Sequence, residues 1–207
     1  MGCCLLAALL VSGWVMRGIR NIGFSGDLVK ASTEVRSLPA FELPVPESSV
    51  DRAYLGLSGT GSFTQAQVDG RVLIIEVFDF YCPHCQAVAP LMDEVYRQIE
   101  GSESLRGKIK IIGIGIGDTT DEVRRFKEKY RVPFPLFADR DRRASGGLVF
   151  LGTPTFIAAR IHADGPAERF YLHPGAFEHA SQFLAEIVKG SGIAQERGHA
   201  SASPPGA

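Results

Sequence analysis

Cys82-Pro83-His84-Cys85 sets two thiols on either side of a two-residue spacer. At the start of a helix this spacing can bring both sulfurs within disulfide reach. Free backbone N–H groups and the helix dipole favour a thiolate at Cys82, and His84 can add positive charge or a hydrogen bond. If they lower the Cys82 pKa from about 8.5 into the range of roughly 3.5–7.5, the thiolate grows from a few per cent to most of the population at pH 7. The chemistry is then thiol–disulfide exchange, with Cys82 the attacking sulfur and Cys85 the resolving one. Pro83 fits the first helical turn, which has no N–H partner to lose. A structural zinc site would need a second CxxC or a closely spaced His pair, which His162 and His173 do not provide. No metal or other cofactor is expected.

Glu76 is the odd residue in the run before the motif, a carboxyl among Ile74, Ile75, Val77 and Phe78. Buried there, it has a raised pKa and can take the proton from Cys85 during exchange, unless that strand position is wet. Asp79 has the opposite parity and receives no role. Far along the chain, Thr153-Pro154 precedes a strand, where a proline can join a sheet without losing a ladder bond.

The elements that must position these residues follow from periodicity. Arg71 to Phe80 (RVLIIEVFDF) is too apolar for a half-exposed strand and reads as a central one covered on both faces. From Pro83 to Glu100, Val88, Leu91, Met92, Val95, Tyr96 and Ile99 recur at helical spacing, with Pro90 expected to kink the helix. Lys108 to Ile116 is a second buried strand, and Thr119 with Glu122 forms a capping box for a helix carrying Val123, Phe126 and Tyr130 on one face. Phe134 to Ala138 gives a third strand. Thr155–Ile161 and Glu168–Leu172 form a hairpin, and Phe177, Ala180, Leu184, Ile187 and Val188 mark a closing helix. Gly113, Gly115 and Gly117 lack the third glycine of a dinucleotide fingerprint, because position 118 is Asp, and read as strand glycines with a close neighbour. The order βαβα then ββα predicts an α/β three-layer sandwich, a central mixed sheet with helices on both faces.

The whole chain has 207 residues, enough for one domain with appended ends. Hydrophobic residues at 45% exclude disorder, and a net charge of −1 leaves no basic field for nucleic acid. Residues 3–15 are almost wholly apolar but shorter than the roughly 20 residues a spanning helix needs. They suit a secretory signal in length, although no Lys or Arg precedes them, Arg17 and Arg20 follow, and no Ala-x-Ala site is present. The expected organisation is a signal peptide or membrane anchor over 1–16, a linker over 17–37, a folded domain over 38–190 and a disordered tail over 191–207. Pro39, Pro44 and Pro46 exclude a regular helix there and suggest an extended segment across a sheet edge.

Taken together, RVLIIEVFDFYCPHC, Pro90, Thr153-Pro154 and Pro174-Gly175-Ala176 resemble the thioredoxin superfamily over about residues 38 to 190. The resemblance implies a cis proline at Pro154 lying against the disulfide, with Thr153 and Pro154 forming a peptide-binding wall beside Cys82. One additional βα unit between Cys85 and Pro154 resembles the TlpA and ResA-like (redoxin) proteins. The CPHC motif and the Glu76 position resemble DsbA, and Tyr81 stands where the TlpA-like consensus has Trp. What this implies is a thiol–disulfide oxidoreductase of the periplasm or another extracytoplasmic space, acting on protein thiols or disulfides, with TlpA-like reduction favoured over DsbA-like oxidation. A membrane thiol–disulfide partner would supply or remove its electrons. Two other classes stand against it. A peroxiredoxin-like peroxidase requires Thr or Ser where Asp79 stands, and a Sco-like copper-delivery protein would space its cysteines one residue further apart and use a distant His such as His162.

Overall fold

A computed structural model describes residues 36–193 apart from 149, 151 and 164. The expected signal or anchor, Cys3 and Cys4, nearly all of the linker and residues 194–207 of the tail lie outside the described residues. In chain order the elements are β1 (Arg36–Ser37), β2 (Glu42–Pro44), α1 (Ser49–Leu55), β3 (Ser62–Thr64), β4 (Val72–Phe78), α2 (Pro83–Gly101), β5 (Ile109–Ile116), α3 (Thr120–Tyr130), β6 (Leu136–Asp139), β7 (Thr155–Arg160), β8 (Glu168–Pro174) and α4 (Ala180–Ser191).

Six strands form one sheet in the order β1-β8-β7-β4-β5-β6, with β4, β5 and β6 parallel and β7, β8 and β1 antiparallel. Every residue of β4 is buried because it lies in mid-sheet with both faces covered. Alternation divides its side chains: Val72, Ile74 and Phe78 enter one core, Leu73, Ile75 and Val77 the other.

The two cores are roofed differently. Residues of α2, α3 and α4 all pack into the core that holds Cys85 and Phe78, among them Met92, Val95, Phe126, Phe183 and Ile187. Both crossovers, β4 to β5 and β5 to β6, step the same way across the sheet, so right-handed connections put α2 and α3 on one face. Over the other face lie Leu38, Phe41, Leu43, Phe63 and Leu148, with Leu55 the buried contribution of α1. The helices expected on both faces are thus distributed three to one, and the second face relies on chain segments and the small β2–β3 sheet.

Four details depart from the sequence reading. Ser191, assigned to the disordered tail, is the last residue of α4, Gly192 caps that helix at φ 79°, and Ile193 is buried in the core, so the folded part runs past residue 190. Arg36 and Ser37, assigned to the linker, form β1 by pairing with Arg169 and Glu168, so the sheet begins ahead of Leu38. Helix α1 carries no apolar periodicity because only Leu55 is buried; it is defined by local chemistry instead, with Ser48 Oγ accepting from Asp51 N–H and Gly56 closing it at φ 71°. β6 begins at Leu136 rather than Phe134, after the Pro135 carbonyl has taken the Gly113 N–H.

Candidate active site

β4 ends at Phe78, and the chain turns through Asp79, Phe80 and Tyr81 onto Cys82, the N-cap of α2. Asp79 shapes this turn. Its carbonyl accepts the Cys82 N–H at 3.1 Å and its Oδ1 accepts the Tyr81 N–H at 2.7 Å. Pro83 sits in the first turn, where no donor is lost. Cys85 comes round to face Cys82, and its backbone N–H donates to Cys82 Sγ at 3.4 Å.

Both cysteines are free thiols, Cys82 half-buried and Cys85 fully buried. Their titrations are driven apart. Burial acts to raise the Cys82 thiol, but hydrogen bonds from the Cys85 thiol, the Thr153 side chain and the backbone N–H groups of Cys85 and His84 outweigh it, so its pKa falls below the ordinary value. Burial pushes the Cys85 thiol far up, and the hydrogen bond to Cys82 and the charges of Cys82 and Glu76 act in the same direction. The arrangement therefore offers one half-buried nucleophile, Cys82, and one protonated, fully buried thiol behind it. The His84 side chain points to solvent, and what His84 supplies to Cys82 is its backbone N–H.

Glu76 shares the face of Val72, Ile74 and Phe78, the side of the sheet that Cys85 packs against. It is 2% exposed, and its Oε1 has no hydrogen-bond partner. Burial raises its carboxyl to about 8. The strand position is buried, not solvent-facing.

Antiparallel pairing of β4 with β7 sets Val77 opposite Thr155 and so carries the preceding turn to the site. The Thr153–Pro154 peptide is cis, and the Cys82 thiol donates to the Thr153 carbonyl at 3.3 Å. Behind it, the Pro154 carbonyl accepts the Gly175 N–H at 2.8 Å, which ties the turn to the end of β8.

Several contacts around the motif were beyond sequence reasoning. The Asp118 carboxylate accepts the Phe80 N–H at 2.9 Å, and Gln86 Nε2 donates to the Phe80 carbonyl at 2.9 Å. Tyr81, 67% exposed, donates its hydroxyl to Glu122 Oε1 at 2.8 Å, while Oε2 of the same carboxylate accepts the Thr119 N–H in the expected capping box. The capping signal was legible; its second duty toward Tyr81 depends on tertiary placement.

His162 lies at the wrong end of the molecule for a ligand set with the cysteines. Arg160 pairs with Val72 at the start of β4, whereas Cys82 follows its end, a separation of about 20 Å along seven strand residues. His162 instead faces Glu168 Oε2 at 3.6 Å. Among the described residues no group of three or more His, Cys, Asp or Glu could hold a metal ion.

A profile of the AhpC/TSA family matches residues 36–162, more than half of the chain and every strand from β1 to β7. The chain belongs to the AhpC/TSA family. One curated relative of this AhpC/TSA protein is the thiol-disulfide oxidoreductase ResA of Halalkalibacterium halodurans, 23% identical over 124 residues. The match takes in 59% of this chain and 65% of the relative, so the chain spans just under two thirds of that protein's length. Among solved structures, StoA of Bacillus subtilis matches with TM-score 0.51 at 14% identity, over 72% of this chain and 96% of that one. A thiol:disulfide interchange protein of the thioredoxin family from Chlorobium tepidum matches with TM-score 0.51 at 20% identity, over 76% and 98%. The AhpC/TSA domain is thus built on the α/β thioredoxin-like fold.

Proposed function

We propose that this protein is a thiol–disulfide oxidoreductase acting on protein substrates through Cys82 and Cys85. The observation that carries the reading is the placement of two free thiols at one helix start, Cys82 at the N-cap with its sulfur taking the Cys85 N–H at 3.4 Å and Cys85 buried behind it, which lowers the first thiol and raises the second. Its relative ResA bears the name of the same activity.

In the reducing direction, the Cys82 thiolate attacks a substrate disulfide, forming a mixed disulfide and releasing one substrate thiolate. The Cys85 thiol then passes its proton to the Glu76 carboxylate and attacks the Cys82 sulfur. The Cys82–Cys85 disulfide forms, the second substrate thiolate leaves, and two electrons have passed to the substrate. Glu76, with a pKa of about 8, is ionised in roughly one molecule in ten at pH 7, so proton transfer and exchange are coupled through a scarce base form. Thr153 and Pro154 provide the wall against which the substrate backbone lies. Reduction is favoured over oxidation because the additional βα unit between Cys85 and Pro154, a TlpA-like and ResA-like feature, spans more of the chain than the CPHC motif.

The apolar run at residues 3–15 supports work on the outer side of a membrane, with a membrane thiol–disulfide partner regenerating the reduced pair. No described helix is long and apolar enough to cross a membrane. A peroxidase reading draws on the AhpC/TSA membership. Against it, the residue three before Cys82 is Asp79, whose groups are engaged in the turn and offer no hydroxyl.

The test is release of thiols from a disulfide-linked peptide by the pre-reduced full chain, run beside consumption of hydrogen peroxide. The proposal expects stoichiometric peptide reduction that is lost in Cys82→Ala. Peroxide turnover without disulfide reduction would overturn it.

A further inference from the structure

Phe80, two residues ahead of Cys82, has both of its backbone polar groups held by side chains. Its N–H goes to Asp118 and its C=O to Gln86, each at 2.9 Å. The two clamps come from opposite directions. Gln86 belongs to the helix that Cys82 opens, but Asp118 follows β5 and precedes the Thr119 N-cap of α3. Parallel register explains why it arrives there: Phe78, the last residue of β4, pairs with Gly115, so the residues just beyond both strand ends meet.

The carboxylate is built in. Asp118 is 3% exposed, and its own N–H reaches back to the Gly115 carbonyl at 3.4 Å. The space it fills exists because position 115 has no side chain; a Cβ there would stand 2.7 Å from Asp118 Oδ2 and 2.9 Å from Val123 Cγ2. Burial raises the carboxyl to about 6, and the Phe80 N–H is the influence that opposes this. A buried carboxylate costs free energy unless its hydrogen bonds compensate, so its presence here calls for a reason beyond filling space.

We propose that Asp118 is a positioning residue for Cys82, acting through the Phe80 amide to fix the Asp79–Tyr81 turn and so keep the Cys82 sulfur on the N–H groups that open α2. This inference rests on the oxidoreductase reading and deepens it. The chain of contacts is continuous: Asp118 holds Phe80, the Asp79 carbonyl holds the Cys82 N–H, and the Cys85 N–H holds Cys82 Sγ. Loosening the first link lets the sulfur drift from the donors that lower its pKa.

The competing role is a brace for the corner between β5 and α3, and it makes a different prediction. Alkylation of the reduced full chain by iodoacetamide, followed against pH by the mass of the peptide that carries the motif and so kept apart from Cys3 and Cys4, reads Cys82, because Cys85 is buried and its thiol titrates far higher. Asp118→Leu keeps the volume and removes the acceptor; Asp118→Asn keeps an acceptor and removes the charge. The expected result is a rise of about one unit in the alkylation midpoint for Asp118→Leu, a loss of about tenfold in rate at pH 7, and a profile for Asp118→Asn that overlays wild type. A folded Asp118→Leu protein with a lower melting temperature and an unchanged profile overturns the proposal in favour of the brace. Should that variant not fold, Asp118→Ala is read in the same way. Unfolding of both overturns it too, since a residue acting only through one loop amide leaves the core intact. Failure of the oxidoreductase reading is separate: wild type itself would then form no reversible disulfide.

Discussion

Cys82 Sγ lies 3.3 Å from the Thr153 carbonyl oxygen, across 71 positions of sequence. The register of β4 against β7 produces this contact, since Val77 opposite Thr155 leaves the turns beyond both strand ends side by side. The Thr153 side chain is also among the groups that lower the Cys82 pKa. Thr153→Val should therefore raise the midpoint of Cys82 alkylation by about half a unit and cut the thiolate fraction at pH 7 by about threefold. A midpoint equal to that of wild type would remove Thr153 from the set of donors.

The division of labour between the two thiols predicts different fates for their serine variants. Cys85→Ser should attack a disulfide substrate and stop at the mixed disulfide, visible as an adduct by intact mass. Cys82→Ser should form no adduct on the peptide that carries the motif, because its remaining thiol, Cys85, is buried and titrates high. Adducts on Cys85 of the Cys82→Ser protein, located by peptide mass and so distinguished from Cys3 and Cys4, would reverse the assignment.

Glu76 makes stability depend on pH. Its carboxyl is raised in the folded chain to about 8 from an ordinary value of 4.5, so the native state holds a proton that the unfolded chain has released. The stabilising effect of that proton is fully present below the ordinary value and is lost as pH rises through about 8, costing roughly 5 kcal/mol at most over the window. Urea denaturation between pH 5 and 9 should show this slope, and Glu76→Gln should flatten it. The same variant should slow resolution of the mixed disulfide and abolish its rise toward pH 8; a resolution rate untouched by Glu76→Gln would take Glu76 out of the proton path.

Gly113 sits in β5 with Leu136 Cδ2 and Phe78 Cε1 where a side chain would be, at 2.3 Å and 3.2 Å from an ideal Cβ. Gly113→Ala is expected to destabilise the domain by about 1–3 kcal/mol, because Leu136 and Phe78 must move in a packed core. Chemical denaturation measures it, and an unchanged midpoint would contradict the packing described.

How much of this was legible in the sequence depended on the range of the signal. The unbroken apolar run around Ile74 and Ile75 announced a central strand, and the Pro83 to Glu100 periodicity announced the helix that Cys82 caps. The close neighbours of Gly113 and Gly115 were also readable from their strand setting, whereas Gly117, with φ 76°, serves the turn instead. Helix α1 escaped because a seven-residue helix with one buried side chain has no period to detect. The clamp on Phe80 escaped for another reason: Asp118 and Gln86 carry ordinary polar side chains whose targets are backbone groups of a loop, and only the β4–β5 register brings Asp118 to the Phe80 N–H, while the first turns of α2 bring Gln86 to its carbonyl. Glu76 was visible precociously because a carboxyl in an apolar strand is anomalous in itself.

The most direct measurement is a redox titration of the full-length protein in glutathione buffers, with Cys82 and Cys85 quantified, apart from Cys3 and Cys4, by alkylation and peptide mass. The expected result is one reversible two-electron transition, absent in Cys82→Ser, with a potential nearer the thioredoxin value of about −270 mV than the DsbA value of about −120 mV. A value near the DsbA end would reverse the direction assigned to the exchange. If Cys82 and Cys85 formed no reversible disulfide at any glutathione ratio, the oxidoreductase function itself would be contradicted.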